Sequence, residues 1–556
     1  MNHAPLRAAL LLDDPAVPWW LADGLARCFE AGSLSVVGAC VRQDEAVAEG
    51  LWARRWRARA TLAGRLLLRL DARRATAPEP ADTPVRELAP GCELIEVAPI
   101  TGRFTDEFPP DALDRLRALQ VDVLLRVGFR ILKGEILTAA PKGILSFHHG
   151  DNRVNRGGPT GVWEVLLGQE TSGLTLQVMT AELDGGHVLA RSVGRTVAFS
   201  FAGNRRAIFA RSPAVFSRTV ERIWRGDSGV HGSAAADPAW QGFDDAILRF
   251  PTNAQVIAGV VQMVRRRIKA ARTFGGRTHQ WAIAWCQQAG DTEGVPDPSL
   301  RRYRVWEPPA GRFRADPFPV VGEDGTHWLF FEELEYRVGK GYLRAVPWGA
   351  KGPAGEPIDI LEEPHHLSYP NVFQLDREWF MLPEGAASGH VDMYHTDAFP
   401  GGWRRAHRLL ENVPLIDPTL LEHDGHWYLF GNLTDAGIGP DDELHLYVAD
   451  SPFGPFHPHP ASPIVTDVRS ARMAGRFFRA GGALHRPAQI GAPRYGAGVT
   501  IQQVEMLTPD LYRERQAQRL HPRWAPDLIG FHTLNAAGRL STLDIRRLVP
   551  KGVGQP

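Results

Sequence analysis

The residues best placed to do chemistry in this chain lie in LSFHHGDNRVNRGGP (145–159). His148, His149, Asp151, Asn152 and Arg156 crowd the end of an apolar, strand-like run, and a double glycine, Gly157-Gly158, follows them. Further on, ELDGGHVL (182–189) sets Asp184 in a turn. A histidine and a carboxylate at two strand ends can face each other. The carboxylate then fixes the imidazole tautomer and raises its basicity, as general acid–base work requires. Turns and caps use the same residue types, so spacing alone leaves both roles open.

A cluster at a strand end needs a sheet to hold it. RAALLLD (7–13), LSVVGACV (34–41), VDVLLRVG (121–128) and GILSFHH (143–149) read as strands, and PWWLADGLARCFEAG (18–32) and PDALDRLRALQ (110–120) as helices. This alternation predicts a mainly parallel sheet covered by helices on both faces, with ligands beyond the carboxyl ends of the strands. The first domain is expected over residues 1–225 and a linker with a basic helix over 226–277. Residues 51–74 and 255–272 are rich in arginine. Such helices can lie on an anionic membrane, although a solvated helix face is the plainer reading, so a membrane surface enters only as a minor partner.

From residue 278 the texture changes to short apolar-aromatic runs broken by Gly, Pro, Asp and Asn. GTHWLFFEE (325–333), DREWFMLPE (376–384) and DGHWYLFGN (424–432) read as three versions of one strand, carrying Trp328, Trp379 and Trp427. Each follows a partner strand with a proline dipeptide: ADPFPVV (315–321), YPNVFQL (369–375) and IDPTLLEH (416–423). A unit recurring at about 50 residues marks a four-stranded propeller blade. The span 278–549 then holds five blades. QWAIAW (280–285) is expected to close the ring with GFHTLN and RLSTLDI near the C-terminus, which removes exposed edges. The expected architecture is an α/β Rossmann-like domain followed by an all-β five-bladed propeller. Asp316, Asn371 and Asp417 share the dipeptide position, and Glu384 follows the second Trp strand. Carboxylates gathered in this way could act as glycosidase acid and base, or simply punctuate the turns.

Composition removes other function classes. With 63 basic and 63 acidic residues the net charge is zero, which leaves no whole-chain attraction for nucleic acid. Arg outnumbers Lys 57 to 6, which we read as codon bias. Cys28, Cys40, Cys92 and Cys286 are scattered, as expected of reduced core residues in a cytoplasmic protein. The apolar N-terminal run is too short for a signal segment and is broken by Asp13 and Asp14. The histidines His365, His366, His390 and His395 lack ligand spacing, so no metal site is assigned.

The block from Gly128 to Leu189 resembles the catalytic core of the folate-dependent formyltransferases, which act on methionyl-tRNA, glycinamide ribonucleotide and sugar amines. Gly168, Gly173 and Thr175 match the family's middle phrase, and Leu183-Asp184-Gly185-Gly186 its turn. The resemblance implies a formyl transfer from 10-formyltetrahydrofolate to an amine. His148 and Asp184 take the places of the catalytic histidine and aspartate, and Gly128, Gly185 and Gly186 stand around the cofactor. The family asparagine falls on Ser146, and His149 stands where proline is usual. Ser146 is therefore the third catalytic candidate and the main departure.

The second half resembles the five-bladed propellers of arabinanase- and xylosidase-type glycoside hydrolases. It looks still more like the propeller that precedes the transferase domain in glucosamine inositolphosphorylceramide transferases. ADSPFGPF (449–456), ARMAGRFF (471–478), HRPAQ (485–489), YGAGVTI (495–501) and GFHTLN (530–535) carry that second resemblance. It puts Asp316, Glu384 and Asp417 near hydrolase positions. Arg472, Arg486 and Gln489 become candidates for a sugar or phosphate ligand, since such side chains suit bidentate polar recognition. Together these readings describe a transferase that formylates an amine of a sugar or glycolipid precursor while the propeller holds the glycan. The alternative is a glycan-binding or glycan-processing propeller whose first domain does other transfer chemistry or serves as a scaffold.

Overall fold

A computed structural model of the chain describes residues 4–43, 60–74, 79–180, 186–226, 247–291 and 294–552. It divides into two compact units, Met1–Arg265 with Asp435–Ile438, and Arg266–Thr434 with Gly439–Pro556.

In the first unit the order is β1 Leu6–Leu12, α1 Trp19–Glu30, β2 Leu34–Arg42, α2 Leu62–Arg74, β3 Glu93–Val97, α3 Pro110–Ala118, β4 Val123–Arg126, β5 Ile144–His148, α4 Val162–Leu167, β6 Thr171–Val178, β7 His187–Arg195 and α5 Phe201–Trp224, and α6 Asn253–Phe274 starts in it and runs on past Arg265, where its main segment ends. The seven strands form one sheet in the order β7-β6-β5-β4-β1-β2-β3. β5, β4, β1, β2 and β3 run parallel, and β6 and β7 are antiparallel additions at one edge. All four predicted strands and both predicted helices are present.

Strand β1 shows why the sheet is covered on both sides. Its side chains alternate, so Ala8, Leu10 and Leu12 enter one core with Trp20, Leu25, Val215 and Phe216 of α1 and α5. Ala9 and Leu11 enter another with Ala112, Leu113 and Leu116 of α3. A strand buried on both faces must be a continuous apolar run, and Ala8–Leu12, AALLL, is one, while Arg7 before it stays exposed. Pro110 sits in the first turn of α3, where its missing N–H costs nothing.

The second unit holds five antiparallel sheets, each built on a pair of inner strands. Blade one contains Arg312–Val321, His327–Glu335 and Gly341–Gly349; blade two Ser368–Leu375, Glu378–Glu384, Val391–Thr396 and Arg404–Leu410; blade three Ile416–His423, His426–Asn432, Leu444–Ala449 and His457–Pro458. Blade four contains Phe478–Ala480, Ala483–Gln489, Val499–Leu507 and Tyr512–Leu520. In blade five, Arg277–Gln287 pairs antiparallel with Leu540–Pro550, Trp281 opposite Arg546 and Trp285 opposite Thr542. The first and last strands of the propeller thus close the ring in one sheet, as the sequence predicts.

Two registers correct the sequence reading. The inner strand bulges between Ala315 and Phe318, between Ser368 and Asn371, and between Ile416 and Thr419. The residue matching Asp316 and Asp417 is therefore Tyr369, not Asn371; each of the three precedes a proline and has φ near +49° (49°, 48° and 49°). On the second strand Glu332, Glu384 and Asn432 occupy matching places, opposite Ala315, Ser368 and Ile416. Trp379 and Trp427 are then equivalent, but Trp328 stands one residue later in its strand and on the other face, because strand side chains alternate.

Candidate functional site

In the first unit the site grows from the carboxyl ends of β4 and β5. Ser146 pairs in register with Arg126 on one side and Gln177 on the other, so these three side chains share a face of the sheet. His148, two residues beyond Ser146, joins the same face. Arg126 Nη1 donates to Ser146 Oγ at 3.2 Å, while its Nη2 donates to the carbonyls of Phe129 and Arg130 at 2.9 and 3.1 Å. Three acceptors thus hold a guanidinium behind the hydroxyl. Gln177 Oε1 is buried and accepts no hydrogen bond among the described residues.

His148 Nε2 lies 3.0 Å from the Asn155 carbonyl. A carbonyl can only accept, so Nε2 carries the hydrogen and Nδ1 of the neutral ring is the acceptor. Asn155 in turn donates through Nδ2 to Gln169 at 2.8 Å. Glu164 on α4 is buried, its Oε2 has no hydrogen-bond partner among the described residues, and burial raises its carboxyl above the usual range. Gly150 leaves room for the imidazole: a Cβ there would stand 2.8 Å from His148 Nε2.

Other members of the cluster prove structural. His149 packs among Trp20, Phe147 and Phe209 with ring centroids 4.7, 5.2 and 4.4 Å away, and its Nε2 meets Ser212 Oγ at 3.1 Å. Burial, with the neighbouring His148, pushes its pKa down to about 3, so it is a neutral packing residue. Asp151 is clamped by Arg153 at 2.9 Å. Gly128 and Gly186 are glycines for close backbone approach, since added Cβ atoms would lie 2.2 Å from Asp13 N and 2.5 Å from Val178 O. Asp184 and Gly185 lie outside the described residues.

At the propeller centre the bulged residues tie blade to blade. Asp316 accepts from Thr533 Oγ1 at 2.5 Å and from Tyr369 N at 3.2 Å. Tyr369 meets Thr419 Oγ1 at 3.0 Å and receives Gly475 N–H at 2.9 Å. Asp417 accepts from Arg472 Nε at 2.7 Å and Gln489 Nε2 at 3.1 Å, and Arg472 also reaches Asp441 at 3.1 Å. These bonds hold residues in left-handed backbone, which costs of order 1–3 kcal/mol at each non-glycine position. The Asp316 and Asp417 carboxylates are thus both hydrogen-bonded, and burial, opposed by His532, pushes the Asp316 carboxyl up to about 6. Glu384 accepts from Ser368 and Ala386 at 2.8 and 2.9 Å, and burial, then Asp417, raises its carboxyl.

His532 and Asp544 were not singled out from the sequence. His532 Nδ1 is 2.7 Å from Asp544 and its Nε2 is 3.4 Å from Asp316. Burial alone would lower the imidazole, yet the two carboxylates outweigh it and raise its pKa. One ligand atom from each of the three lies within 4.8 Å of the others, a spacing a small cation can also use. The histidine of GFHTLN and an aspartate inside the apolar run STLDI are the sequence signals for this group. Arg486 corrects the sequence reading: it is fully buried and paired with Glu514 at 2.6 Å inside blade four. It braces the blade from inside and has no exposed surface.

Comparison with known proteins follows this division. Residues 80–198 match the family model described as formyl transferase, and residues 306–548 match that of the N-terminal region of glucosamine inositolphosphorylceramide transferase 1. The glucosamine inositolphosphorylceramide transferase 1 of Oryza sativa subsp. japonica is 37% identical over 206 residues, 36% of this chain and 27% of that protein. Its counterpart in Arabidopsis thaliana is 35% identical over 206 residues, with the same shares. The chain thus spans about a quarter of the length of these relatives. Among solved structures, glycinamide ribonucleotide transformylase 1 from Symbiobacterium toebii is 20% identical and covers 41% of this chain and 92% of its own, with a TM-score of 0.29. Zg3597, a family 117 glycoside hydrolase from Zobellia galactanivorans, is 12% identical and covers 50% of this chain and 92% of its own, with a TM-score of 0.32. The chain carries a formyltransferase domain and, after it, a domain of the glucosamine inositolphosphorylceramide transferase N-terminal type.

Proposed function

We propose that the first domain transfers a formyl group to an amine of a sugar or glycolipid precursor, and that the propeller holds the glycan. The observation that carries this reading is the row Arg126–Ser146–His148 at the carboxyl ends of β4 and β5. Its donors and its base lie on one face, where doubly wound sheets place ligands.

The donor set suits 10-formyltetrahydrofolate. A hydroxyl polarised by a guanidinium complements a formyl oxygen, and Gln177 Oε1, without a partner among the described residues, is an acceptor for a pterin N–H. When bound, that cofactor supplies an electrophilic N-formyl carbon. Ser146, backed by Arg126, donates toward the oxygen on which negative charge gathers as an amine attacks. A donor of this kind is worth about 10²–10³ in rate. His148, its tautomer fixed by the Asn155 carbonyl, would take at Nδ1 the proton the attacking amine loses as its N–C bond forms, and would return it to the donor nitrogen released when the formyl–nitrogen bond breaks. The sequence resemblance gives Asp184 the part of the family's catalytic aspartate.

The bonded state of Asp316 and Asp417 supports binding, not hydrolysis, at the propeller centre. Arg472, Gln489 and Glu384 are the groups we assign to hold sugar hydroxyls. The relatives are named for a glucosamine and an inositolphosphorylceramide, which fits an amino-sugar glycolipid as acceptor. The test is turnover of 10-formyltetrahydrofolate with amino-sugar acceptors: His148→Ala and Asp184→Ala should each abolish it. Wild-type release of sugar from furanosides, lost in Asp316→Asn, would instead make the propeller a hydrolase.

A further inference from the structure

Two helices expose apolar side chains in stripes. α2 buries only Gly64, and the 22-residue α6 buries only Val256. They lean on each other and on α4. The Asn253 side chain accepts the Ala63 N–H at 2.9 Å, a Cβ at Gly64 would lie 2.9 Å from the Phe250 ring, and one at Gly259 would lie 2.5 Å from Leu166. At about 100° per residue, Gly64, Leu67 and Leu68 form the inward face of α2, and Val256, Gly259 and Met263 that of α6.

The outward faces are also apolar. Leu62, Leu66 and Leu70 line up on α2, and Ile257, Val261 and Val264 on α6, where Ile268 continues the row by one turn. Leu62 and Ile257 are 62% and 61% exposed. Single exposed apolar residues are ordinary, whereas aligned rows on adjoining helices mark a contact surface. The flanks are cationic: Arg65, Arg69 and Arg73 on α2, and Arg265, Arg267 and Lys269 on α6. α6 contains no acidic residue, and the single one in α2, Asp71, is occupied by the Ala202 N–H at 2.7 Å.

We propose that these faces form a docking surface for an anionic lipid membrane, the apolar rows entering the headgroup–acyl boundary and the arginine and lysine heads reaching lipid phosphates. None of the described helices is long and apolar enough to cross a membrane, so the helices lie on the surface. Charge complementarity selects this occupant. A second copy pairing through the same patch would set cation against cation. The inference is independent of the formyl-transfer reading.

The test is co-sedimentation of the full chain with phosphatidylcholine vesicles, with and without added phosphatidylglycerol, at low and high salt. Binding should be at least about 10-fold stronger to the anionic vesicles and should weaken as salt screens the flanks. Ile257→Gln/Val261→Gln/Val264→Gln, which keeps good helix formers on an exposed face, should lower it about 10-fold with an unchanged circular dichroism spectrum. Arg265→Gln/Arg267→Gln/Lys269→Gln should erase the preference for anionic lipid. Equal sedimentation of wild type and the apolar triple variant would overturn the proposal. So would self-association in equilibrium centrifugation that the triple variant abolishes, which would assign the patch to a second copy.

Discussion

Arg126 reaches from one parallel strand to donate to the hydroxyl of Ser146 on the next, 3.2 Å away. Ser146, which the sequence resemblance sets in place of the family asparagine, is therefore backed by a charged donor. Arg126→Met should lower kcat for formyl transfer by about 10², with a smaller change in KM. Ser146→Asn in that background should recover part of the loss, because the amide brings its own N–H. Unchanged initial rates in Arg126→Met would remove the arginine from the mechanism.

His149 makes the first domain sensitive to acid. Its folded-state pKa of about 3 lies below the ordinary 6.5, so the folded protein binds fewer protons than the unfolded chain between those values. The stability it contributes is present above about pH 6.5 and is lost as the pH falls toward 3. Thermal melts from pH 7 to pH 4.5 should show Tm falling less steeply in His149→Phe than in the wild type. Parallel slopes would mean that the imidazole titrates freely.

The Tyr369 hydroxyl joins three blades through Thr419 and Gly475. Tyr369→Phe leaves the buried Gly475 N–H without its acceptor and should cost about 1–3 kcal/mol in urea denaturation. A change within error would show that the hydroxyl does not fasten the blades.

Removing one partner of the buried Arg486–Glu514 pair strands a charge. Arg486→Met should destabilise the propeller by about 3–5 kcal/mol, and Arg486→Met/Glu514→Leu should recover most of that. The sugar binding proposed for the propeller centre should survive in the double variant, because both side chains are buried inside blade four. Loss of binding there with the fold intact would restore Arg486 as a ligand residue.

The sequence was most readable where a pattern repeats or a periodicity is strict. The apolar run of β1, the proline-bearing hairpins and the pairing of QWAIAW with RLSTLDI all follow from alternation and from the need to bury edges. Tyr369 was missed because the bulge that sets its register is invisible in a one-dimensional alignment, and Asn371 offered the more polar match. Arg126 reads as a charged residue near the end of the apolar run VDVLLRVG, so nothing local separates a solvent-facing side chain from a guanidinium turned onto Ser146. Arg486 sits in a motif with polar neighbours, yet its partner Glu514 lies two strands away. The resemblance names His148 and Ser146, and the folded sheet sets both on one face; the tautomer of His148 depends on Asn155, which only the folded loop returns to it.

The most direct test of formyl transfer is a mass-spectrometric assay for an N-formylated product, with 10-formyltetrahydrofolate and a panel of amino sugars and amino-sugar glycolipids, run beside calorimetric titration of the folate. The account predicts folate binding and a product heavier by one formyl group, with turnover reduced at least about 10³-fold in His148→Ala. No folate binding at millimolar concentration, or equal product from His148→Ala, would contradict it.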